Sequence, residues 1–362
     1  FIAGRAATVA AVGGSATNYT ASITTNSTDT QGNVAISIAF SDLAGNDGDA
    51  VTATTNSSSV IYDRAVPTLS AVTVTSNNDN SAYAKEGDIV TLSFTSPENL
   101  QSDPTVTIDG NAATVSGSNK SWTAAYTMQS GDTEGDVNFT IDFLDLASNS
   151  GSRVTTLTSG DKIIYDETVP ELPTVDISSN NNNGATFAKV GDVITISVSA
   201  SENIQTPTVT IAGNAAAIAT GSNGERVYTA TYTMQSSDNT GAIPFTVDFS
   251  DMANNAGTQV TAVANDSDGG VTFDKQAPSF TTVTMSSDNS TSTLAIVNDV
   301  ITLSLTSEEA IKAGSDPTIT VNGNTATVTR NSATSFTATY TMSSPADDAI
   351  DGSSIPINIS AY

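Results

Sequence analysis

Three aspartates stand at one recurring place in the chain. Asp63, Asp166 and Asp274 each follow an aromatic residue, Tyr62, Tyr165 or Phe273, and each precedes a proline by four positions, Pro67, Pro170 or Pro278. Further acids keep step with them. Glu98 in "SPEN" and Asp145 with Asn149 in "LDLASN" go with Asp63; Glu202 in "SASEN" and Asp251 with Asn255 in "SDMANN" go with Asp166; Glu309 in "SEEA" goes with Asp274. These are hard oxygen ligands from distant parts of the sequence. A calcium ion takes six to eight of them at about 2.3–2.6 Å and tolerates irregular geometry. A second reading stands beside this one, because an acid in a loop often caps a turn or is simply solvated.

Such residues can act together only if the elements between them repeat. The period is 103 residues from Asp63 to Asp166 and 108 from Asp166 to Asp274. "KEGDIVTLSF" (85–94) returns as "KVGDVITISV" (189–198) and "IVNDVITLSL" (296–305). "WTAAYTM" (122–128) returns as "YTATYTM" and "FTATYTM", and "FTIDFLDLASNSG" (139–151) as "FTVDFSDMANNAG", with "ISIAFSDLAGNDG" (36–48) before it. A period this long denotes whole domains in tandem and not the 20–50 residue unit of a solenoid. The divisions fall at 1–66, 67–169, 170–277 and 278–362, the first and last incomplete. Because "IAGRAATV" near the start matches "IDGNAATV" and "IAGNAAAI" from the middle of a repeat, the chain is expected to be a piece of something longer.

Within each copy apolar residues recur at every second position. Val90, Leu92 and Phe94 alternate with Thr91 and Ser93, and Trp122, Ala124 and Tyr126 face inward with Thr123 and Thr127 outward. Thr on the outward face suits extended backbone in water. Gly and Asx clusters interrupt these runs every 8–15 residues, and no segment carries a helical period. In repeat two the spacing predicts strands at 71–75, 89–95, 105–108, 112–115, 121–128, 137–144 and 153–165, the last broken at Ser159-Gly160. About seven short strands patterned on one face read as an all-β chain of tandem immunoglobulin-like antiparallel β-sandwiches. In such a sandwich the loops after the second and sixth strands lie at the pole where the preceding domain hands over, which is where the acids fall. The Gly-Asp and Asn-Asp turns at Asp88, Asp192 and Asp299 are read as fixing the approach to the second strand, and the acids of "GDTEGD" (131–136) as no ion cage, since repeat three has "SDNTGA" there.

The chain has 362 residues, a formal charge of −27, 11 Lys and Arg, and neither His nor Cys. The charge argues against nucleic acid and for cations or saline surroundings. Lack of His removes the usual acid–base residue near neutrality. No nucleophile has a base beside it, and no phosphate-binding or hydrolase motif is present, so the chain reads as no enzyme. No apolar run is long enough for a transmembrane helix, and no basic leader opens the sequence. Eight Asn-x-Ser/Thr sequons occur, of which Asn138 and Asn358 hold matching outward positions.

At the level of the repeat, "DETVP", "KVGDVITISVSASENI", "PTVTIAGNAAAI", "YTATYTMQS" and "FTVDFSDMANNAG" resemble the immunoglobulin-like tandem repeats of very long prokaryotic surface proteins. They are most similar to those of the surface-layer proteins of marine ammonia-oxidising archaea. That resemblance implies calcium near Asp166, Glu202 and Asp251, N-linked glycans, and assembly of copies into an extracellular lattice or filament. The insertion "IKAGSDPTIT" after Glu309 departs from the pattern at the fourth junction. The leading expectation is a structural, acidic, cation-binding surface layer. The alternatives are an extender region of a large repetitive adhesin, and accessory modules of an extracellular glycan-active enzyme.

Overall fold

The computed structural model describes residues 1–221, 224–264, 269–343 and 353–360. They form two compact units, Phe1–Thr272 and Phe273–Tyr362. Strands and loops make up almost all of it. Among the described residues the helical turns are two short 3₁₀ segments, Val12–Gly14 and Gly224–Arg226.

In the first unit, alternation turns directly into layers. Thr114–Ser118, Ser121–Thr127, Ile89–Thr95 and Ser70–Ser76 form one antiparallel sheet in that order. Phe139–Asp142, Thr105–Ile108 and Asn111–Ala112 form a second. Leu92 lies between Val74 and Ala124, and Phe94 opposite Trp122, so one face of the sheet is a continuous apolar surface. Phe139, Ile141, Val106 and Ile108 of the second sheet pack onto it and close one core. The same order recurs with Thr174–Ser179, Val193–Ser199, Val227–Thr233 and Ala217–Thr220 against Asn214–Ala215, Thr208–Ile211 and Phe245–Asp248. The second unit repeats it by itself. Phe280–Ser287, Val300–Ser307, Ser335–Thr341 and Thr327–Arg330 lie over Asn324–Thr325, Thr318–Val321 and Ile357–Ser360. First, second, fifth and fourth strands side by side is the immunoglobulin arrangement. The chain is a tandem array of immunoglobulin-like sandwiches.

Residues 1–66 are sparser. A hairpin of Thr8–Ala11 with Tyr19–Ser22 and a short pair of Gly32–Asn33 with Ile61–Tyr62 are joined by isolated bridges. Phe40 remains 54% exposed there.

Three strands differ from the sequence reading. The expected strand at 112–115 is divided, because Asn111–Ala112 pairs with Thr107 and Ile108 while Thr114–Ser118 pairs with the 121–125 stretch of the other sheet. The expected strand at 137–144 is shorter, because Gly135–Asp136 pairs with Ile164–Tyr165 while Phe139–Asp142 pairs with Thr105–Ile108, so the chain changes sheets in between. The expected strand at 153–165 comes in pieces. Val154 bridges to Ile141, Thr158 donates its N–H and its hydroxyl to the Val72 carbonyl, and Ile164–Tyr165 runs parallel to Tyr83–Ala84. Gly160, at φ 85°, turns the chain between the last two pieces.

Candidate cation sites at the repeat junctions

Loop 249–257 shows how the sequence builds one wall of the site. Phe249 and Gly257 close it, with the Gly257 N–H donating to the Phe249 carbonyl at 3.0 Å. A Cβ on Gly257 would meet the Phe249 ring at 2.2 Å, so only glycine lets the ring lie over the backbone there. Phe143 over Gly151 and Phe40 over Gly48 repeat the device. Inside the loop, Asp251 is fully buried and its carboxylate accepts the Asn255 backbone N–H and side-chain amide, both at 2.8 Å.

The second wall is the loop after the second strand. Ile204 bridges to Asp251, the Gln205 N–H donates to the Ser250 carbonyl at 2.9 Å, and the Gln205 amide donates to the Asp251 carbonyl at 2.9 Å. Those bonds place Glu202 beside Asp251. The junction closes the third side, because the Asn255 amide also donates to the Asp166 carbonyl at 2.9 Å. Asp166, Glu202 and Asp251 thereby bring carboxylate oxygens within 4.8 Å of one another.

Asp63, Glu98 and Asp145 form the same grouping, also within 4.8 Å, from the same parts. Asp145 is fully buried and accepts the Ala147 and Asn149 N–H groups. The Asn149 amide bonds both the Asp145 carboxylate and the Asp63 carbonyl. Asn149 and Asn255 therefore serve as struts between loop and junction. In the second unit Asp274 and Glu309 are neighbours: burial and then the Asp274 charge hold the Glu309 carboxyl above its ordinary range. Among the described residues of that unit no third acid joins them. The insertion after Glu309 is stitched by Arg330, which bonds Asp316 and the Ile311 and Lys312 carbonyls and stacks over Phe336 at 4.9 Å.

Turn capping is present as well. Asp63, Asp166 and Asp274 each accept, on one oxygen, the N–H two residues ahead, from Ala65, Thr168 and Gln276. One oxygen shapes the linker, and each carboxylate has a second.

The electrostatics of the second cluster follow from burial. Burial raises the Asp166 carboxyl, and the charges of Asp251 and Glu134 raise it further against the N–H of Thr168. Burial also raises Glu202, reinforced by Asp166, Asp251 and Glu134 and opposed by Arg226. At neutral pH the group is thus an accumulation of negative charge that a divalent cation would relieve.

Glu134 belongs to this region although the sequence reading set its turn aside. It accepts the Thr168 hydroxyl at 2.7 Å and the Glu167 N–H at 3.1 Å, and those bonds hold it below its ordinary range. Its companions are engaged elsewhere: Asp132 caps the Gln129 N–H, and Asp136 pairs with Lys162. Asp88, Asp192 and Asp299 each accept a backbone N–H of their own turn and an asparagine amide, from Asn78, Asn181 and Asn289, which fixes the approach to the second strand. Asn138 and Asn358 are exposed, whereas Asn289 is committed to Asp299 and Asn265 lies outside the described residues.

No protein-family profile matches the chain, and no curated protein matches it. Several solved structures are similar. A three-domain immunoglobulin structure of titin, in a mutated variant, is 9% identical, with 80% of this chain and 98% of that one covered and a TM-score of 0.35. A two-domain Rst structure is 11% identical over 53% of this chain and 99% of that one, with a TM-score of 0.25. A Bacteroides ovatus structure, SGBP-B of a mixed-linkage glucan utilization locus in complex with a mixed-linkage heptasaccharide, is 14% identical over 74% of this chain and 58% of that one, with a TM-score of 0.17.

Proposed function

We propose that the chain is a structural element of a cell surface, a row of sandwiches whose joints are stiffened by divalent cations, calcium before others. The observation that carries this reading is the buried aspartate at two of the joints. Asp145 and Asp251 meet two further carboxylates drawn from the linker and from a second loop, all within 4.8 Å. Oxygens that far apart can share one ion at the usual calcium–oxygen distance of about 2.4 Å. Three carboxylates supply the charge, Asn149 and Asn255 brace them, and water completes the shell. Asp274 with Glu309 is the weaker member of the series.

The finest form of the proposal is a surface layer outside the cell, built from copies of the chain and carrying glycans at exposed sequons such as Asn138 and Asn358. The −27 charge fits a porous layer that concentrates cations and repels anions. Millimolar calcium on a site of micromolar affinity would stabilise a joint by about 4 kcal/mol.

Calcium calorimetry on the 362-residue chain, paired with small-angle scattering, tests the cation. Heat of binding, a longer and narrower particle, and loss of both at one site in Asp166→Asn are expected. No heat and no change of dimension would remove calcium from the reading.

A further inference from the structure

The joint between the sandwich that begins at Ser70–Ser76 and the one that begins at Thr174–Ser179 is closed by protein groups alone. Three consecutive carbonyls of loop 251–255 receive side-chain donors from turn 78–85 of the preceding sandwich. Asn80 donates its amide to the Met252 carbonyl at 2.9 Å, Asn78 to the Ala253 carbonyl at 2.8 Å, and the Lys85 ammonium to the Asn254 carbonyl at 2.5 Å. In return the Asn254 amide donates to Asn78 Oδ1 at 2.8 Å. The turn holds these donors still. Asn78 gives its other N–H to Asp88, which also accepts the Lys85 backbone N–H, and Asn78 Oδ1 accepts the Asn80 N–H at 2.9 Å. Both donors and both lone pairs of the Asn78 amide are thereby used, at 8% exposure. On the far side Asn254 Oδ1 accepts the Gln205 amide at 2.6 Å.

The linker supplies a separate attachment. The Ser201 N–H donates to the Glu171 carbonyl at 2.9 Å, and the Ser201 hydroxyl accepts the Glu171 N–H at 3.0 Å. A tether at the linker alone would let two sandwiches pivot, and the bonds from turn 78–85 remove that freedom. The turn reads main chain, since its donors meet carbonyls that any residue offers. The side chain before the central one can therefore differ, and Leu43, Leu146 and Met252 hold that place in the three copies. The central one cannot grow. Ala253 is 0% exposed, and alanine stands there in each copy, as Ala44 and Ala147.

We infer that turn 78–85 is a latch that docks loop 251–255 of the following sandwich with no ion in place, so that the pair is one body before any cation binds. The latch uses amides, an ammonium and carbonyls, and none of the acids Asp166, Glu202 and Asp251. It therefore stands apart from the cation reading above, and an ion would add to a joint that protein groups have already closed. Opening the joint breaks four bonds together, which makes the loop's exposure to solvent an event that crosses from one sandwich to the next.

Amide hydrogen exchange on the full chain in chelator tests the latch. Asn254 and Asn255, whose N–H groups bond the Asp251 carbonyl and carboxylate, report on the docked loop. Ser148 and Asn149 make the same bonds to Asp145 inside the preceding sandwich, and strands Ile89–Thr95 and Val193–Ser199 report on the two folds. Asn80→Ala with Lys85→Met removes two of the donors and leaves the bond from Asn78 to Asp88 in place. Exchange at 254–255 should rise about tenfold or more, with 148–149 and both strands unchanged. Ala253→Gln keeps every donor but sets a long side chain where there is no room, and should do the same. If that glutamine unfolds its own sandwich, seen as lost protection in Val193–Ser199, the double variant decides. Unchanged exchange at 254–255 in the double variant overturns the inference. So does an equal rise at 148–149, because the loosening then belongs to the preceding sandwich as a whole. Calcium enters neither result, so failure of the latch leaves the cation reading to its own calorimetry.

Discussion

Asp166 and Glu202 are acids whose folded environment disfavours their charge, and this fixes how the joint responds to pH. Because both pKa values are raised above the ordinary 3.8 and 4.5, the folded state holds these protons more tightly than the unfolded chain. Without calcium, their contribution to stability is fully present below those ordinary values and is lost as pH rises through the raised ones. With calcium bound the direction reverses, since protons compete with the ion across the same window. Glu134 is held below its ordinary value, so its contribution is lost only at lower pH; Asp251 and Arg226 complete the charged surroundings. Melting of the first unit, followed from pH 7 toward about 5, should rise slightly in chelator and fall in calcium. In Asp166→Asn the two slopes should flatten. Parallel slopes in the two buffers would count against an ion at this cluster. The acids themselves could be read from the sequence, since they recur in order beside the same proline. The bonds from Asn78, Asn80 and Lys85 to the carbonyls of 252–254 could not. Asn78 is fully accounted for by its bond to Asp88, a bond that Asn181 and Asn289 repeat, and nothing local marks its other N–H as crossing the joint. Glu134 was hidden because Thr240 takes its place in the next repeat.

Strands were legible wherever one face is buried, because alternation is what burial on one side of a sheet leaves in a sequence. Ile89–Thr95 and Thr105–Ile108 fall where the alternation puts them. Tyr83–Ala84 and the fragments of 153–165 escaped, since two-residue pairings carry no period and the chain there passes from one sheet to another. The glycines after the acidic loops read as punctuation, and the ring each makes room for becomes visible only in three dimensions. The fifth strand offers a test of packing. Trp122 is 5% exposed and its indole N–H has no partner, while at the matching place Tyr228 donates its hydroxyl to the Ile204 carbonyl at 2.9 Å and the second unit has Phe336. Trp122→Ala should cost about 3–5 kcal/mol through the cavity it leaves. Trp122→Phe should cost less than about 2 kcal/mol, because it removes an unpaired donor along with part of the ring. Denaturant midpoints measure both, and equal losses would show that the site is not packed as described.

For the molecule as a whole, charge sets the conditions under which copies can meet. A net charge of −27 keeps copies apart at low ionic strength. Sedimentation in chelator and little salt should give single chains, and calcium in about 0.5 M salt, where charges more than a few Å apart are screened, should give ordered larger species. One mass under both conditions would argue against a role built on contacts between copies. The parallel pairing of Tyr83–Ala84 with Ile164–Tyr165 bears on what such an array must withstand. Tension drawn along the chain pulls the earlier strand back and the later strand forward, so their hydrogen bonds are sheared together and do not unzip one after another. The Lys85 ammonium, which donates to the Asn254 carbonyl, ties the turn that carries Tyr83 and Lys85 to the sandwich beyond. Force would therefore reach this turn along two routes, through the linker at Asp166 and through loop 251–255, and the linker's extension would be limited until both gave way.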